Sequence, residues 1–299
     1  MIPPFISYIT FNRLGLTARN LDSILDSSEE FEMHIIDSNS RDDTWEYLRS
    51  LQDPRIQSVT RLPLNCGPIY PLNLNLSRRK PEQYFFTIDS DVFMISKKWI
   101  SRFMEVFETF PEAGLLGVKR GRPYPLYYPP VIPRVKDNIH YLQLENGHID
   151  APLDFVPGCC QALRPELINQ IGYWNEECCY GDSELSARIC CYTDLKAGFI
   201  DTVEIEMTQS INCAECQAER WCSLNHPIDT CFDIWRRHYI NRAAAAKFRP
   251  NFLKVFQELK QGKRSAYSAS MSDPESTQKN LYHQNWAMEN IRYYIQNSN

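Results

Sequence analysis

Two aspartates one residue apart, Asp89 and Asp91, close the apolar run YFFTIDSDVF at residues 84–93. On an extended backbone, residues two apart project to one face, so the two carboxylates converge wherever strand geometry persists past Asp89. Unit charges about 4 Å apart repel by about 4 kcal/mol at an effective dielectric of about 20, so a close pair calls for a cation. Oxygen-only ligands suit Mg2+ or Mn2+, and Mg2+ is usually bound by one or two carboxylates together with substrate phosphates. The bland alternative is a surface turn carrying two solvated aspartates, and context decides between the two. A further carboxylate, Asp182 in YGDSEL, stands at the expected start of a helix, where it could cap the helix.

The elements that must position these residues follow from periodicity. FISYIT (5–10), EMHIID, IQSVTRLP and YFFTID read as strands, separated by helical stretches that include NRLGLTARNLDSILDS and Thr44 to Leu51. The segment NCGPIYPLNLNLSRR is a helix or loop opened by Gly and Pro. Strands alternating with helices over the first 100 residues predict an α/β fold, a Rossmann-like, mostly parallel sheet flanked by helices. Ligands of such sheets bind at the carboxyl ends of the strands, where Asp37 and Asp89 fall. Five prolines between Lys119 and Lys136 predict a long loop, and HYLQLENGHIDAPLDF predicts a hairpin turning at Asn146-Gly147. Beyond Met207 a cysteine-rich stretch and helical segments around 228–247, 251–261 and 276–296 predict a mainly helical C-terminal extension. The expected boundary divides residues 1–205 from 206–299.

The chain has 299 residues, of which 43% are hydrophobic and 23% charged, an ordinary globular composition. Its net charge of -5 offers no broad basic field, which argues against nucleic acid as the main partner. No run of about 18 apolar residues is long enough to span a bilayer, and the N-terminus lacks the layout of a secretory signal. Eleven cysteines, six of them in adjacent pairs, suit reduced thiols better than a secreted disulfide framework, so a cytoplasmic setting is expected.

In order along the chain, SYITFNR, HIIDSNSRDDT, NCG, FFTIDSDVF and IGYWNEECCYGDSELSARI resemble the recurring segments of inverting family 2 glycosyltransferases of the GT-A fold. The resemblance covers about residues 4 to 205. It implies a metal-assisted transfer of a sugar, of the hexosyltransferase type, from a nucleoside diphosphate sugar to a hydroxyl, with a UDP-sugar the first expectation. The acceptor, whether glycan, lipid-linked glycan or protein, is not readable. Carried over by position, Thr10, Asn12 and Arg13 flank the nucleotide, Asp37 holds its base or ribose, and Asn65 and Gly67 form the turn that lines it. Asp91 contacts Mn2+ or Mg2+, Asp89 contacts ribose or the ion's surroundings, and Trp174 either faces sugar or acceptor or packs in the core. Asp182 is the base, with Glu184 the fallback and Glu176 and Glu177 weaker candidates. Three positions depart from the pattern: Ser38 stands where many members carry a second aspartate, Gly181 replaces an acidic residue before the base, and no histidine follows the next strand. His226 is the nearest substitute.

Lys119, Arg120 and Arg122 could meet phosphate oxygens or form a solvated basic turn. Cys213, Cys216, Cys222 and Cys231, with His226 among them, could hold a structural Zn2+, which needs thiolate or imidazole ligands at about 2.0 to 2.3 Å; ordinary reduced cysteines are the alternative. Two other readings of the whole chain stay open. One is a nucleotidyltransferase of related fold, which should carry a Gly-rich loop where TFNRLGLTARN has one glycine. The other is a non-catalytic sugar-nucleotide-binding protein, which Gly181 and the missing histidine would suit.

Overall fold

A computed structural model describes residues 2–118, 129–145, 154–178, 180–207 and 239–297. The expected strands and helices alternate: β1 (Phe5–Thr10), α1 (Leu14–Leu25), β2 (Glu32–Asp37), α2 (Thr44–Ser50), β3 (Ile56–Arg61), α3 (Ile69–Leu76) and β4 (Phe85–Asp89). There follow β5 (Val92–Met94), α4 (Trp99–Thr109), β6 (Ala113–Val118), β7 (Val131–Lys136), β8 (Ile139–Leu144), β9 (Cys160–Leu163), α5 (Pro165–Ile171), α6 (Gly181–Tyr192), β10 (Lys196–Ile200) and β11 (Ile205–Met207). Past residue 238 come α7 (Tyr239–Lys260), α8 (Pro274–Asn280) and α9 (Gln284–Asn297).

Nine strands form one sheet in the order β3-β2-β1-β4-β9-β6-β10-β8-β7, with β9 and β8 antiparallel to their neighbours. Both faces are covered, which is why the central strands read as nearly continuous apolar runs. Alternate residues of β1 divide between the two cores. Ile6 and Tyr8 join α1 and α4 on one face, and Phe5 joins Leu72 of α3 and Leu185 of α6 on the other.

The proline-rich region is not all loop. Val131–Lys136 is a strand, but it lies at the sheet's end, where Pro133 costs no central ladder bond. A hairpin joins β7 to β8 and turns at Asp137-Asn138, both at positive φ (50 and 64); the turn expected at Asn146-Gly147 lies outside the described residues. Asp and Asn tolerate that conformation in a two-residue turn. From residue 239 on, the segments expected at 228–247 and 251–261 form a single helix, α7, which carries Pro250 in its interior; residues 228–238 lie outside the described residues. Phe248 and Phe252 are buried on either side of that proline, and packing outweighs the lost backbone bond.

The C-terminal helices are fixed by two adjacent acids. The Glu176 carboxylate accepts from Asn73 Nδ2 (2.8 Å), Ser270 Oγ (2.7 Å) and the Met271 N–H (2.9 Å). The Glu177 carboxylate accepts from the backbone N–H groups of Tyr282 (2.8 Å) and His283 (2.6 Å) and pairs with Arg264. Burial pushes the Glu176 carboxyl up from its ordinary value, and the three donors oppose that shift. Among the described residues, no helix is long and apolar enough to cross a membrane.

Within α6, Arg188 and Glu184 form a buried pair at 3.0 Å, 1% and 0% exposed. Arg188 also donates to the carbonyls of Tyr173 (2.8 Å) and Ala266 (3.1 Å), joining α6 to the extension. Replacing Arg188 with Met strands the Glu184 charge and should lower the unfolding free energy in urea by about 3–5 kcal/mol. Arg102→Met, which breaks an exposed pair with Glu105, should change it by less than about 1 kcal/mol.

Candidate active site

The aspartate pair sits where β4 ends. Strand geometry stops at Asp89, and residues 90 and 91 turn the chain into β5. Asp89 is exposed and Asp91 partly exposed, whereas Ser90 points inward. Asn20 of α1 holds this turn from below, its Nδ2 donating to the carbonyls of Val92 and Asp89. From above, Arg13 spans the turn, donating to Asp91 Oδ2 at 3.2 Å and to Ser90 Oγ at 3.1 Å.

Arg13 reaches that position through a costly backbone. Asn12 and Arg13 both have positive φ, 56 and 67; asparagine tolerates this conformation, whereas it costs Arg13 about 1–2 kcal/mol. The strain is held by cross-links to the loop after β2. The Asn12 N–H donates to Ser40 Oγ at 2.7 Å, and Asn12 Oδ1 accepts from the Arg41 N–H at 2.9 Å. Thr10, expected at the nucleotide, is buried and shares a 2.7 Å hydroxyl contact with Thr17.

Asp37 ends β2 beside Thr10 and is fully enclosed. Its carboxylate accepts from the Ser40 N–H (3.1 and 3.2 Å) and pairs with Arg61 Nε at 3.3 Å. Burial pushes its carboxyl up, and Ser40 and Arg61 act against the shift. Arg61, itself 5.7 Å from the Trp45 ring centroid, is the more open member of the pair. At the end of β3, Asn65 Oδ1 accepts from the Gly67 N–H at 3.0 Å and forms a tight turn.

Asp182 lies in the first turn of α6, which starts where the sequence placed it. Its Oδ2 accepts from the Gly158 N–H at 2.7 Å, and one helical turn on, Ser186 Oγ accepts from the Val156 N–H at 3.0 Å. The next residue, Cys159, accepts at its carbonyl from the Asp89 N–H at 3.0 Å. Two consecutive residues therefore tie the helix bearing Asp182 to the strand end bearing Asp89.

Other expected residues lie elsewhere. Trp174 is 1% exposed, its ring centroid 6.0 Å from that of Phe85 in the core, the packing position that is the alternative to facing a sugar. Glu184 is sealed in its pair with Arg188, and Glu176 and Glu177 anchor the extension, so no acceptor hydroxyl reaches them. Gly181 lies against Ile69, whose Cδ1 would stand 2.9 Å from a Cβ placed there. Lys119, Arg120, Arg122, Cys213, Cys216, Cys222, Cys231 and His226 lie outside the described residues. Sequence reasoning passed over Asn20, Ser40, Arg61 and Gly158, whose roles are contacts across 20 to 70 positions and leave no local signal.

Among the described residues no group of three or more His, Cys, Asp or Glu converges on a metal-sized site. The protein thus offers two carboxylates, outward-facing at a strand end. A hard divalent cation that completes its shell with phosphate oxygens and water fits this donor set.

The model for "Glycosyl transferase family 2" matches residues 6–172. Among solved structures, the mannosyltransferase PcManGT from Pyrobaculum calidifontis, in complex with GDP-Man and Mn2+, is similar with a TM-score of 0.59 at 16% identity, covering 100% of this chain and 73% of that one. S. aureus TarS 1-349 in complex with UDP has a TM-score of 0.53 at 15% identity, covering 87% of this chain and 92% of that one. The same TarS fragment with UDP-GlcNAc has a TM-score of 0.51 at 16% identity, covering 100% and 82%. At these identities the likeness speaks to fold alone, and no curated protein matches the chain. The fold is GT-A-like, and with more than half its length matched by the family model, the chain belongs to glycosyl transferase family 2.

Proposed function

We propose that this glycosyltransferase moves a sugar from a nucleoside diphosphate donor to an acceptor hydroxyl with inversion, using Asp182 as the base. The observation that carries the reading is the pair of bonds at Gly158 and Cys159, which set Asp182 and Asp89 at one end of the sheet. In this reading residues 1–205 form the donor-binding and catalytic unit and 206–299 the extension. The acceptor oxygen forms a bond to the anomeric carbon as the bond from that carbon to the diphosphate oxygen breaks. The hydroxyl proton passes to the Asp182 carboxylate, which one N–H donor already orients. A transition state with oxocarbenium character accompanies the exchange. Asp91 and Asp89 would hold a Mn2+ or Mg2+ ion, which supplies charge compensation for the departing diphosphate. Arg13 keeps the Asp91 carboxylate oriented and partly neutralised.

A UDP-sugar is the first donor to test. The PcManGT complex holds GDP-Man and the two TarS complexes hold UDP and UDP-GlcNAc, so both bases belong in the assay. Asp182→Asn keeps the Gly158 N–H partner but removes the base, and should lower turnover by about 10²–10⁴-fold with an unchanged unfolding midpoint. Nucleotide release and circular dichroism check both halves, and full activity in this variant would sink the assignment.

Gly158→Ala tests the tether itself. The added Cβ would stand 2.8 Å from both Asp182 oxygens, so the side chain swings away without backbone strain. A misplacement on the order of 1 Å should cost about 10²-fold in turnover, measured at saturating donor. Chelation by EDTA should abolish transfer by the wild-type protein, and added Mn2+ should restore it; activity that survives chelation would remove the ion from the account.

A further inference from the structure

The Asn65–Gly67 turn is overlaid by the C-terminal helix. Gly67 has φ +80, and a Cβ on it would stand 2.5 to 2.8 Å from Cδ2, Cε2 and Cγ of Tyr294. The Tyr294 ring therefore occupies the space that any other side chain at position 67 would need. It is 6% exposed and backed by Ala244 and Phe248 of α7. Its helix is anchored close by, where Asn290 Nδ2 donates to the Glu176 carbonyl at 3.2 Å. Two residues beyond Gly67, Ile69 seats its Cδ1 on Gly181, the residue before Asp182. One short stretch of chain thus touches α9 at one end and the Asp182 helix at the other.

From this packing we infer that Tyr294 is a positioning residue for the donor, its ring holding the 65–67 turn in the conformation that receives the nucleotide. The inference rests on the donor reading above. Glycine samples left- and right-handed backbone about equally, so an uncovered Gly67 leaves the turn free to leave its bound geometry. The ring removes that freedom before the ligand arrives. Without it, ordering the turn is charged against donor affinity, while the Gly158 and Asp182 geometry stays as it is.

The test compares nucleotide affinity and kinetics in the full chain with Mn2+, using UDP, GDP, UDP-GlcNAc and GDP-Man as probes. Tyr294→Leu keeps apolar bulk against Phe248 but loses the flat ring, and should weaken Kd and raise donor KM about tenfold with kcat unchanged within about twofold. Tyr294→Phe keeps the ring and should restore Kd and KM. Phe256→Ala, in a different part of the extension's core, should lower the unfolding temperature and leave Kd alone. Wild-type affinity in Tyr294→Leu, no rescue by Phe, or an equal loss in Phe256→Ala would overturn the inference while leaving the donor reading in place. A wild-type protein that binds none of the four probes overturns both.

Discussion

Two hydrogen bonds made by neighbouring residues organise this site. The Gly158 N–H grips Asp182, and the Cys159 carbonyl receives the Asp89 N–H. They can do so because β9 runs antiparallel to β4, which brings the residues just before β9 to the carboxyl end of β4. The residues involved are 93 positions apart in the chain, so only the sheet can place them together. The second contact of α6, from Val156 to Ser186, makes the attachment a two-point one and fixes the helix rotation that aims Asp182.

Around that junction, the acids divide by environment. Glu176, Glu177 and Glu184 are buried and each is met by donors or a guanidinium, which suits them to holding structure. Asp89, Asp91 and Asp182 have exposed or partly exposed side chains. Only such carboxylates can exchange partners with a ligand without a large desolvation cost. The same division links the extension to the site, since the acids that fix it lie in the segment leading into α6.

The sequence carried the local part of this arrangement. Alternating apolar runs located β1 to β4, and the start of α6 at Asp182 was legible from its first-turn chemistry. Strands that depend on partners were harder to read. Pro133 masked β7 because proline is excluded from central strands but not from an edge. Trp174 read equally as a ligand-facing aromatic or a core ring, because nothing local distinguishes a ring packed on Phe85 from one turned to a sugar. Glu184 read as a spare carboxylate because its partner Arg188, though one helical turn away, could equally have been solvated. The left-handed Arg13 left no signature either, as it is not glycine and the contacts that hold the turn come from residues 40 and 41 to Asn12.

The most direct test of the central claim is a crystal structure with a nucleoside diphosphate sugar and Mn2+. Inversion requires attack opposite the leaving group. The predicted result has the ion and diphosphate against Asp89 and Asp91, and the Asp182 carboxylate, still bonded to the Gly158 N–H, on the opposite side of the anomeric carbon. A diphosphate bound away from the aspartate pair, or Asp182 on the same side as the diphosphate, would contradict it.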